Sequence, residues 1–475
     1  MNGPSTTPCK ECIVSDPQSA PVHDLVVLGG GSGGYAAALR AAELGLSVAL
    51  VERDKVGGTC LHRGCIPTKA LLHAAELADG ARESSRFGVH AHLDSVDMAG
   101  VNKYKDGVVA RLYKGLQGLI ASRRITYLEG EGRLVAPDAV QVGSRRITGR
   151  SVLLATGSVS RSLPGLTIGG RIITSDRALS LDEIPRSVVV LGGGVIGVEF
   201  ASVWRSFGAQ VTVVEALDRL VPMEDEASSK ALERAFRRRG IAFRTGVRFA
   251  GAAQTPDGVA VTLENGQTLQ ADLLLVAVGR GPNTAGFGYE QVGIAMDRGF
   301  VLADERMRTN VPGVFAVGDI VPGMQLAHRG FAQGIFVAEE LAGLSPVPLV
   351  ESGIPRVTYC EPEVASVGLS EASARKQYGD DGVRTVEYNL AGNGRSQILG
   401  TTGFVKLVRQ KDGPVVGVHM VGSRVGELIG EGQLIVNWEA FPEEVAQLVH
   451  AHPTQDEALG EAHLALAGKP LHTHG

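Results

Sequence analysis

The chain has 475 residues, a formal net charge of −5 and a sequence pI near 6.2. This length allows three or more domains, and the acidic balance argues against nucleic acid and anionic membrane surfaces as partners. Five cysteines spread over so long a chain do not form a secreted disulfide framework, and no run of about 18 apolar residues predicts a membrane span.

The N-terminal residues 1–21 are rich in Pro, Ser and Thr and lack the apolar segment of a leader peptide. This composition predicts a disordered tail on a cytoplasmic protein. Cys9 and Cys12 form a CxxC pair there, but no second pair or nearby His accompanies them. We therefore expect incidental cysteines and predict no metal site.

The first ordered stretch reads as a strand at residues 24–28, a glycine-rich turn, a helix and a strand at residues 47–52. Three glycines in GxGxxG spacing occupy the turn: Gly29, Gly31 and Gly34. Such glycines let backbone N–H groups approach a pyrophosphate at a helix N-terminus. Glu52 ends the unit, where an acidic side chain can accept hydrogen bonds from a ribose. The complete unit predicts a bound dinucleotide; a structural glycine turn is the alternative.

Two cysteines stand five residues apart in the run GGTCLHRGCIPTK, residues 57–69. In a regular helix this spacing gives about 7.5 Å of axial rise, whereas the Cα atoms of a disulfide lie within about 6.8 Å. A bond between Cys60 and Cys65 would need a break in the helix, which Gly58 and Gly64 allow. Such a bond would be exchangeable rather than a structural staple. The alternative is two buried free thiols.

Two helices are predicted next, at residues 69–82 and 102–123, followed by a strand that ends in a turn at residues 156–158. A second complete nucleotide unit then begins about 163 residues after the first. Its glycines and acidic residue are Gly192, Gly194, Gly197 and Glu215. Glu215 favours NAD over NADP because a 2′-phosphate would meet a like charge, although Arg219 could accommodate a phosphate.

These motifs resemble the class I pyridine nucleotide–disulfide oxidoreductases, whose redox-active disulfide lies in a run of the form GGTC-4x-CIP-[ST]-K. The similar segments cover about residues 22–465. The resemblance implies an α/β fold with two Rossmann-like dinucleotide-binding domains, for FAD and NAD, and a C-terminal α+β dimerisation domain. The implied segments are a disordered tail (1–21), the first part of the FAD-binding domain with the redox disulfide (22–158), the NAD-binding domain (159–281), the second part of the FAD-binding domain (282–350) and the dimerisation domain (351–475).

The resemblance also implies which residues contact the two nucleotides. They are Gly29, Gly31, Gly34, Glu52, Lys69, Gly132, Thr156, Gly157, Ser158, Gly192, Gly194, Gly197, Glu199, Glu215, Val247, Gly279, Arg280, Asp319, Gln325, Leu326, Ala327 and His328. Lys69 and Glu199 are expected to pair near the flavin; two ordinary helix charges are the alternative. Cys60 is expected to exchange with substrate while Cys65 faces the flavin.

The C-terminal run HAHPTQDE, residues 450–457, resembles the family's HPT-x-x-E motif. An imidazole suits proton transfer from a thiol near neutral pH, and a carboxylate on its other nitrogen would fix the tautomer. By the resemblance His452 is the base and Glu457 its partner, and we expect His450 to support the structure. The alternatives are that His450 is the base, or that both histidines only satisfy polar groups at a helix start. In the family this segment enters the active site of the other subunit, so a homodimer is expected.

Within the family, the residues resemble the members that oxidise dihydrolipoamide with NAD. Those members act on lipoyl domains of 2-oxo acid dehydrogenase complexes or of the glycine cleavage system. Relatives that use NADPH usually carry basic residues where Glu215 stands. His62 and Arg63 depart from the common Asn-Val and could alter the approach of substrate. The alternatives are a reductase for another low-molecular-weight thiol and a flavoprotein redox sensor.

Overall fold

The computed structural model describes residues 22–472, so the predicted tail with Cys9 and Cys12 lies outside the described residues. Within residues 22–472 the chain folds into parallel sheets flanked by helices and a C-terminal antiparallel sheet with helices of its own. The predicted α/β class with an α+β C-terminal part is confirmed. No helix of residues 22–472 combines the length and apolar character that crossing a membrane requires.

The first region builds a sheet around the first glycine-rich turn. Its elements are β1 (His23–Leu28), α1 (Ser32–Glu43), β2 (Val48–Glu52), α2 (Gly58–Arg63), α3 (Cys65–Glu83), α4 (Met98–Ser122), β3 (Thr126–Glu129), β4 (Gly132–Ala136), β5 (Ala139–Val142) and β6 (Arg145–Leu154). Strands β3, β2, β1 and β6 are parallel, and β5 and β4 continue from β6 as antiparallel strands. The central β1 is apolar on both faces because helices cover both sides of a parallel sheet.

The helix predicted at residues 69–82 begins four residues earlier, at Cys65. Gly64 separates it from α2 with φ −147° and ψ −114°, outside the helical region. The break expected between the two cysteines is therefore confirmed at Gly64. The helix predicted at residues 102–123 spans Met98–Ser122, and the Asp97 side chain caps it by accepting a hydrogen bond from the Ala99 backbone N–H at 3.0 Å.

The second region repeats the pattern. Its elements are β7 (Ser158–Ser160), β8 (Ile172–Ile173), α5 (Ser175–Ala178), β9 (Ser187–Leu191), α6 (Val195–Ser206), β10 (Gln210–Val214), α7 (Glu226–Arg238), β11 (Ala242–Arg244), β12 (Phe249–Gln254), β13 (Val259–Leu263), β14 (Thr268–Ala271), β15 (Leu273–Val276) and β16 (Arg280–Pro282). Strands β11, β10, β9, β15 and β8 form a parallel sheet. The chain enters this region through β7 and leaves it through β16, and these two strands pair with each other.

The third region returns the chain to the first sheet. Its elements are α8 (Tyr289–Val292), β17 (Met296–Asp297), β18 (Phe300–Val301), β19 (Val314–Ala316) and α9 (Ala327–Leu341). Strand β19 pairs in parallel with β6, and α9 packs against α1. A Cβ atom on Gly334 would lie 2.2 Å from the Gly33 carbonyl oxygen, so only glycine allows this close helix contact.

The fourth region forms a five-stranded antiparallel sheet in the order β20-β21-β24-β23-β22. Its elements are β20 (Arg356–Thr358), β21 (Glu363–Gly368), α10 (Glu371–Tyr378), β22 (Val383–Asn389), α11 (Gly394–Leu399), β23 (Phe404–Gln410), β24 (Val415–Gly422), α12 (Val425–Asn437), α13 (Pro442–Val445) and α14 (Glu457–Leu466). Buried ion pairs join it to the second region: Lys406 Nζ lies 2.8 Å from Asp225 Oδ1, and Arg356 Nε lies 3.0 Å from Glu224 Oε1.

Candidate active site

The two glycine-rich turns have nearly the same backbone geometry. Gly29 and Gly192 have φ of +105° and +110°, and a Cβ atom on either would lie within 2.4 Å of a neighbouring carbonyl oxygen. Gly34 leaves room for the carbonyl of Gly29 in the same way that Gly197 does for Gly192. The middle glycines, Gly31 and Gly194, would instead project a Cβ into space with no atom within 4 Å. These turns therefore offer open backbone at a helix start, which fits a pyrophosphate.

Both acidic residues that end the units are held by backbone N–H groups. Glu52 Oε2 accepts from Gly30 N at 2.7 Å, and Glu215 Oε2 accepts from Gly193 N at 2.7 Å. The other oxygen of each carboxylate accepts from a residue two positions further on. Each oxygen keeps a second lone pair. Both carboxylates are thus oriented at the end of a parallel strand and can still accept hydrogen bonds from a ribose.

Ser158 and Asp319 meet where the chain leaves the first region. Ser158 Oγ donates to Asp319 Oδ2 at 2.5 Å, and Arg280 Nε donates to Ser158 Oγ at 2.8 Å. The neighbouring Thr156 donates to the Asn283 carbonyl at 2.7 Å. Three of the residues expected at the nucleotides are therefore joined in one hydrogen-bonded group, although they are far apart in sequence.

Other residues expected at FAD lie around the same sheet. Gly132 begins β4 and lines a cavity of about 850 Å³ together with Arg53 and Asn283. Gly157 has φ +76° and an unobstructed Cβ direction. Gln325 and Leu326 precede α9, and Ala327 and His328 begin it. His328 Nε2 contacts the Pro355 carbonyl at 2.8 Å. The oriented Glu52 and the open glycine turn of the first unit fit a flavin dinucleotide.

Two further residues expected at the nucleotides lie in the second region. Gly279 has φ +109° and an unobstructed Cβ direction just after β15. Val247 donates its backbone N–H to the Glu215 carbonyl at 3.2 Å. Both therefore lie at the carboxyl edge of the second parallel sheet, which is where nucleotides bind in such folds.

Cys60 and Cys65 are free thiols on either side of the break at Gly64, and each thiol shifts the pKa of the other. Cys60 lies in α2, and Cys65 begins α3. The hydrogen bond from Cys60 and the charge of Lys69 lower the pKa of Cys65, although burial opposes this. Cys65 is therefore the thiol that ionises more readily, and thiolate is the reactive form in disulfide exchange.

Lys69 lies one turn beyond Cys65 and forms a two-point ion pair with Glu199. Its Nζ is 2.9 Å from each carboxylate oxygen, with 32 % of the lysine side chain exposed and 3 % of the glutamate side chain. Burial disfavours the charged lysine, but the Glu199 carboxylate outweighs it and raises the pKa of Lys69. The pair joins the cysteine helix α3 to the helix α6 of the second nucleotide unit.

Sequence reasoning missed Tyr359, which completes this group from the fourth region. Its ring centroid lies 4.8 Å from Lys69 Nζ, and its backbone N–H donates to Glu199 Oε1 at 2.9 Å. A cation over an aromatic face is favourable by about 0.5–2 kcal/mol. No local sequence pattern predicts the contact between Tyr359 and Lys69, because it depends on how three separate regions pack.

His62 and Arg63, the departures between the cysteines, are both bound within the chain. His62 Nε2 contacts the Val56 carbonyl at 2.9 Å and packs edge-on against the Tyr113 ring. Arg63 pairs with Asp54 at 3.2 Å. Both side chains therefore connect α2 to the segment that precedes it.

His452 and Glu457 form the dyad that the C-terminal motif predicts. His452 Nδ1 lies 2.8 Å from Glu457 Oε1, and Glu457 Oε2 accepts from the Thr454 N–H at 2.7 Å. The His452 side chain is 76 % exposed, so its other nitrogen can reach a partner. No hydrogen bond or ion pair within residues 22–472 joins this dyad to Cys60 or Cys65.

His450 belongs to a different group, which sequence reasoning also missed. Its Nε2 lies 3.0 Å from Glu431 Oε1, and only 10 % of its side chain is exposed. Asp456 lies against the same Glu431 carboxylate. The hydrogen bond to Glu431 raises the pKa of His450, whereas burial and the Glu431 charge raise the pKa of Asp456. His450 thus has its own carboxylate partners and is separate from the His452 dyad.

Two dinucleotide units around a pair of neighbouring thiols and a largely buried lysine–glutamate pair define a flavoprotein disulfide oxidoreductase that uses FAD and NAD. The family model described as pyridine nucleotide-disulphide oxidoreductase matches residues 23–334. The dimerisation domain of the same family matches residues 354–463. The chain belongs to the pyridine nucleotide-disulphide oxidoreductase family.

Individual relatives are similar over nearly their whole lengths. The chain is 40 % identical over 471 residues to a dihydrolipoyl dehydrogenase of Bacillus subtilis, covering 95 % of this chain and 99 % of the relative. It is 40 % identical to dihydrolipoyl dehydrogenase 3 of Pseudomonas aeruginosa, covering 94 % and 99 %. The crystal structure of LpdA from Mycobacterium tuberculosis aligns with a TM-score of 0.87 at 28 % identity, covering 93 % and 99 %.

Proposed function

We propose that this enzyme is a dihydrolipoyl dehydrogenase, which oxidises dihydrolipoamide to lipoamide and reduces NAD to NADH. The observation that carries the proposal is the thiol pair, held across the Gly64 break beside the Lys69–Glu199 pair and between the two nucleotide units. The relatives named as dihydrolipoyl dehydrogenases support the choice of substrate. Glu215 at the second unit supports NAD as the nicotinamide nucleotide.

In the oxidised enzyme Cys60 and Cys65 form a disulfide that the substrate attacks. One substrate thiol gives its proton to His452 and bonds to Cys60, and Cys65 leaves as a thiolate. The second substrate thiol displaces Cys60, which yields lipoamide and the reduced pair. Bound FAD supplies the two-electron chemistry between the reduced pair and NAD. The overall change converts dihydrolipoamide and NAD⁺ into lipoamide, NADH and one proton.

The proposal includes a homodimer in which His452 acts on the cysteines of the partner subunit. The exposure of the His452 side chain supports this arrangement. Two apolar residues that precede it in the chain are also exposed, Leu448 by 62 % and Val449 by 98 %, and an exposed apolar patch can mark a subunit interface. An exposed base can serve a site built by another chain.

We expect the natural substrate to be a lipoyl domain of a 2-oxo acid dehydrogenase complex or of the glycine cleavage system. The cysteine usage of the sequence supports a cytoplasmic location.

Steady-state assays test the substrate and the nucleotide together. The purified enzyme should reduce NAD with dihydrolipoamide and prefer NAD to NADP, and it should reduce glutathione disulfide with NADPH far more slowly. The Cys60→Ser variant is the control that reports any reaction independent of the thiol pair. Turnover with a different thiol only, or reversible thiol oxidation without turnover, would contradict the proposal and favour a different reductase or a redox sensor.

A further inference from the structure

A second cluster of ionisable side chains lies beside the dyad and takes no part in the proposed reaction. It consists of Glu431 in α12, His450 in the loop after α13 and Asp456 immediately before α14. One nitrogen or oxygen atom from each of the three lies within 4.8 Å of the others. Three separate elements therefore direct their ligand atoms to one point.

The charge of this cluster is not balanced by a permanent cation. Within residues 22–472 no lysine or arginine pairs with Glu431 or Asp456, and the only ion-pair partner of Glu431 is His450. Where the fourth region meets the second, two carboxylates that share a point have a lysine between them, as Lys406 lies between Asp225 and Glu371. Two facing carboxylates without such a cation repel each other unless a proton or a metal ion lies between them.

The ligand types and the burial suit a metal ion. One imidazole and two carboxylates are zinc ligands, and three protein ligands leave a fourth tetrahedral position for water. The His450 side chain is nine-tenths buried, and Gly460 makes room for its ring, since a Cβ there would lie 2.6 Å from Nδ1. The imidazole is therefore fixed with Nε2 towards the carboxylates. A Zn²⁺ ion with two carboxylates and a neutral imidazole is electrically neutral.

We propose that Glu431, His450 and Asp456 form a Zn²⁺-binding site, one in each chain. The ion joins α12 to the segment between α13 and α14 and displaces the protons held by the cluster. Because His450 and Asp456 flank His452, the ion fixes the segment that carries the dyad. The site does not use the thiol pair, and its existence does not depend on the proposed substrate.

Zinc titration of the holoenzyme by isothermal calorimetry tests the site. All cysteines that could compete for zinc are first replaced by serine: Cys9, Cys12, Cys60 and Cys65. In this background we expect one Zn²⁺ per chain. Asp456→Asn and Glu431→Gln should each weaken binding by about 10-fold or more. The matched control is Glu461→Gln. Glu461 lies 2.8 Å from His472, so this variant also removes a carboxylate from a histidine, but at a place with a single carboxylate. Zinc affinity should not change in this control.

Zinc X-ray absorption of the same background gives a check that does not depend on the variants. We expect only nitrogen and oxygen neighbours at about 2.0–2.2 Å. Far-ultraviolet circular dichroism and FAD content confirm that Asp456→Asn remains folded. An affinity unchanged by Asp456→Asn would overturn the proposal, and so would binding no tighter than millimolar in the background protein.

Discussion

The two nucleotide units differ little in their turns and greatly in what surrounds them. Gly29, Gly34 and Glu52 of the first unit have the same local geometry as Gly192, Gly197 and Glu215 of the second. At the same position of the helix, however, the first unit has the small residue Ala36 and the second has Glu199. The turn geometry thus specifies a dinucleotide, whereas the residues around it decide which chemistry the bound nucleotide serves.

The surroundings of the two units meet at the thiol pair. The first unit continues through Gly58 into the cysteine helices, and the second supplies Glu199 to Lys69 on α3. The thiols therefore lie on helices of the first region, beside a lysine whose partner comes from the second unit. The two units thus share the geometry of their turns but differ in the residues around them, and four predictions test this difference.

The largest effect is expected from the thiol pair itself. Cys65→Ser removes the leaving thiolate, so no disulfide can form or exchange, and dihydrolipoamide oxidation should fall by about 10³-fold or more. Oxidation of NADH by an artificial acceptor that bypasses the thiols should persist, because both nucleotide turns are intact. Cys360→Ser is the control, since this cysteine is buried and burial raises the pKa of its thiol well above the usual value. Dihydrolipoamide turnover that survives in Cys65→Ser would show that the pair is not the redox centre.

The next effect is on stability. Glu199→Ala gives the second unit the residue type that the first has at this position, and it leaves Lys69 without its partner. The free energy of unfolding should fall by about 3 kcal/mol, as for breaking a largely buried pair.

The matched control for this prediction is Glu339→Ala, which removes the partner of Arg40 on the helix of the first unit. That pair is more exposed and should contribute about 1 kcal/mol or less. Denaturant unfolding of the holoenzyme measures both variants. Equal losses would contradict the distinction drawn between the surroundings of the two units.

The two acidic residues should separate the two nucleotides. Glu215→Ala removes an acceptor for the ribose, which costs about 1–3 kcal/mol in NAD binding and relaxes discrimination against NADP. Glu52→Ala should instead weaken FAD retention and leave the NAD/NADP ratio unchanged. An unchanged ratio in Glu215→Ala would assign the preference to another residue, and Arg219 is then the first to examine.

The smallest effect concerns the ionisation of Cys65. Lys69 lowers the pKa of this thiol together with the hydrogen bond from Cys60. Lys69→Met removes a positive charge that stabilises the thiolate, so the pKa should rise by about one unit. Alkylation of the reduced enzyme should then require a higher pH. The control is Lys230→Met on an exposed helix surface, which should not change the pH dependence of alkylation. If Lys69→Met also leaves this pH dependence unchanged, the charge of Lys69 does not stabilise the thiolate.

The parts of the site that depend on residues close together in the chain were predictable from the sequence. The repeated glycine turns, the break at Gly64 and the closeness of His452 and Glu457 each depend on residues near one another in the chain. Tyr359 beneath Lys69 was not predictable, because that contact depends on packing between distant regions. The Glu431–Asp456 contact was hidden for the same reason: a helix and a later loop must first come together.

The central claim is that one chain supplies the thiols and the other supplies the base, and mixed dimers test it most directly. Cys60→Ser and His452→Gln subunits with different tags are exchanged, and the heterodimer is purified. Each parent homodimer should have lost about 10²-fold or more of its dihydrolipoamide oxidation. If His452 acts across the interface, the heterodimer contains one intact site and should recover about half of the wild-type activity per dimer. A purified heterodimer as inactive as its parents would contradict the account.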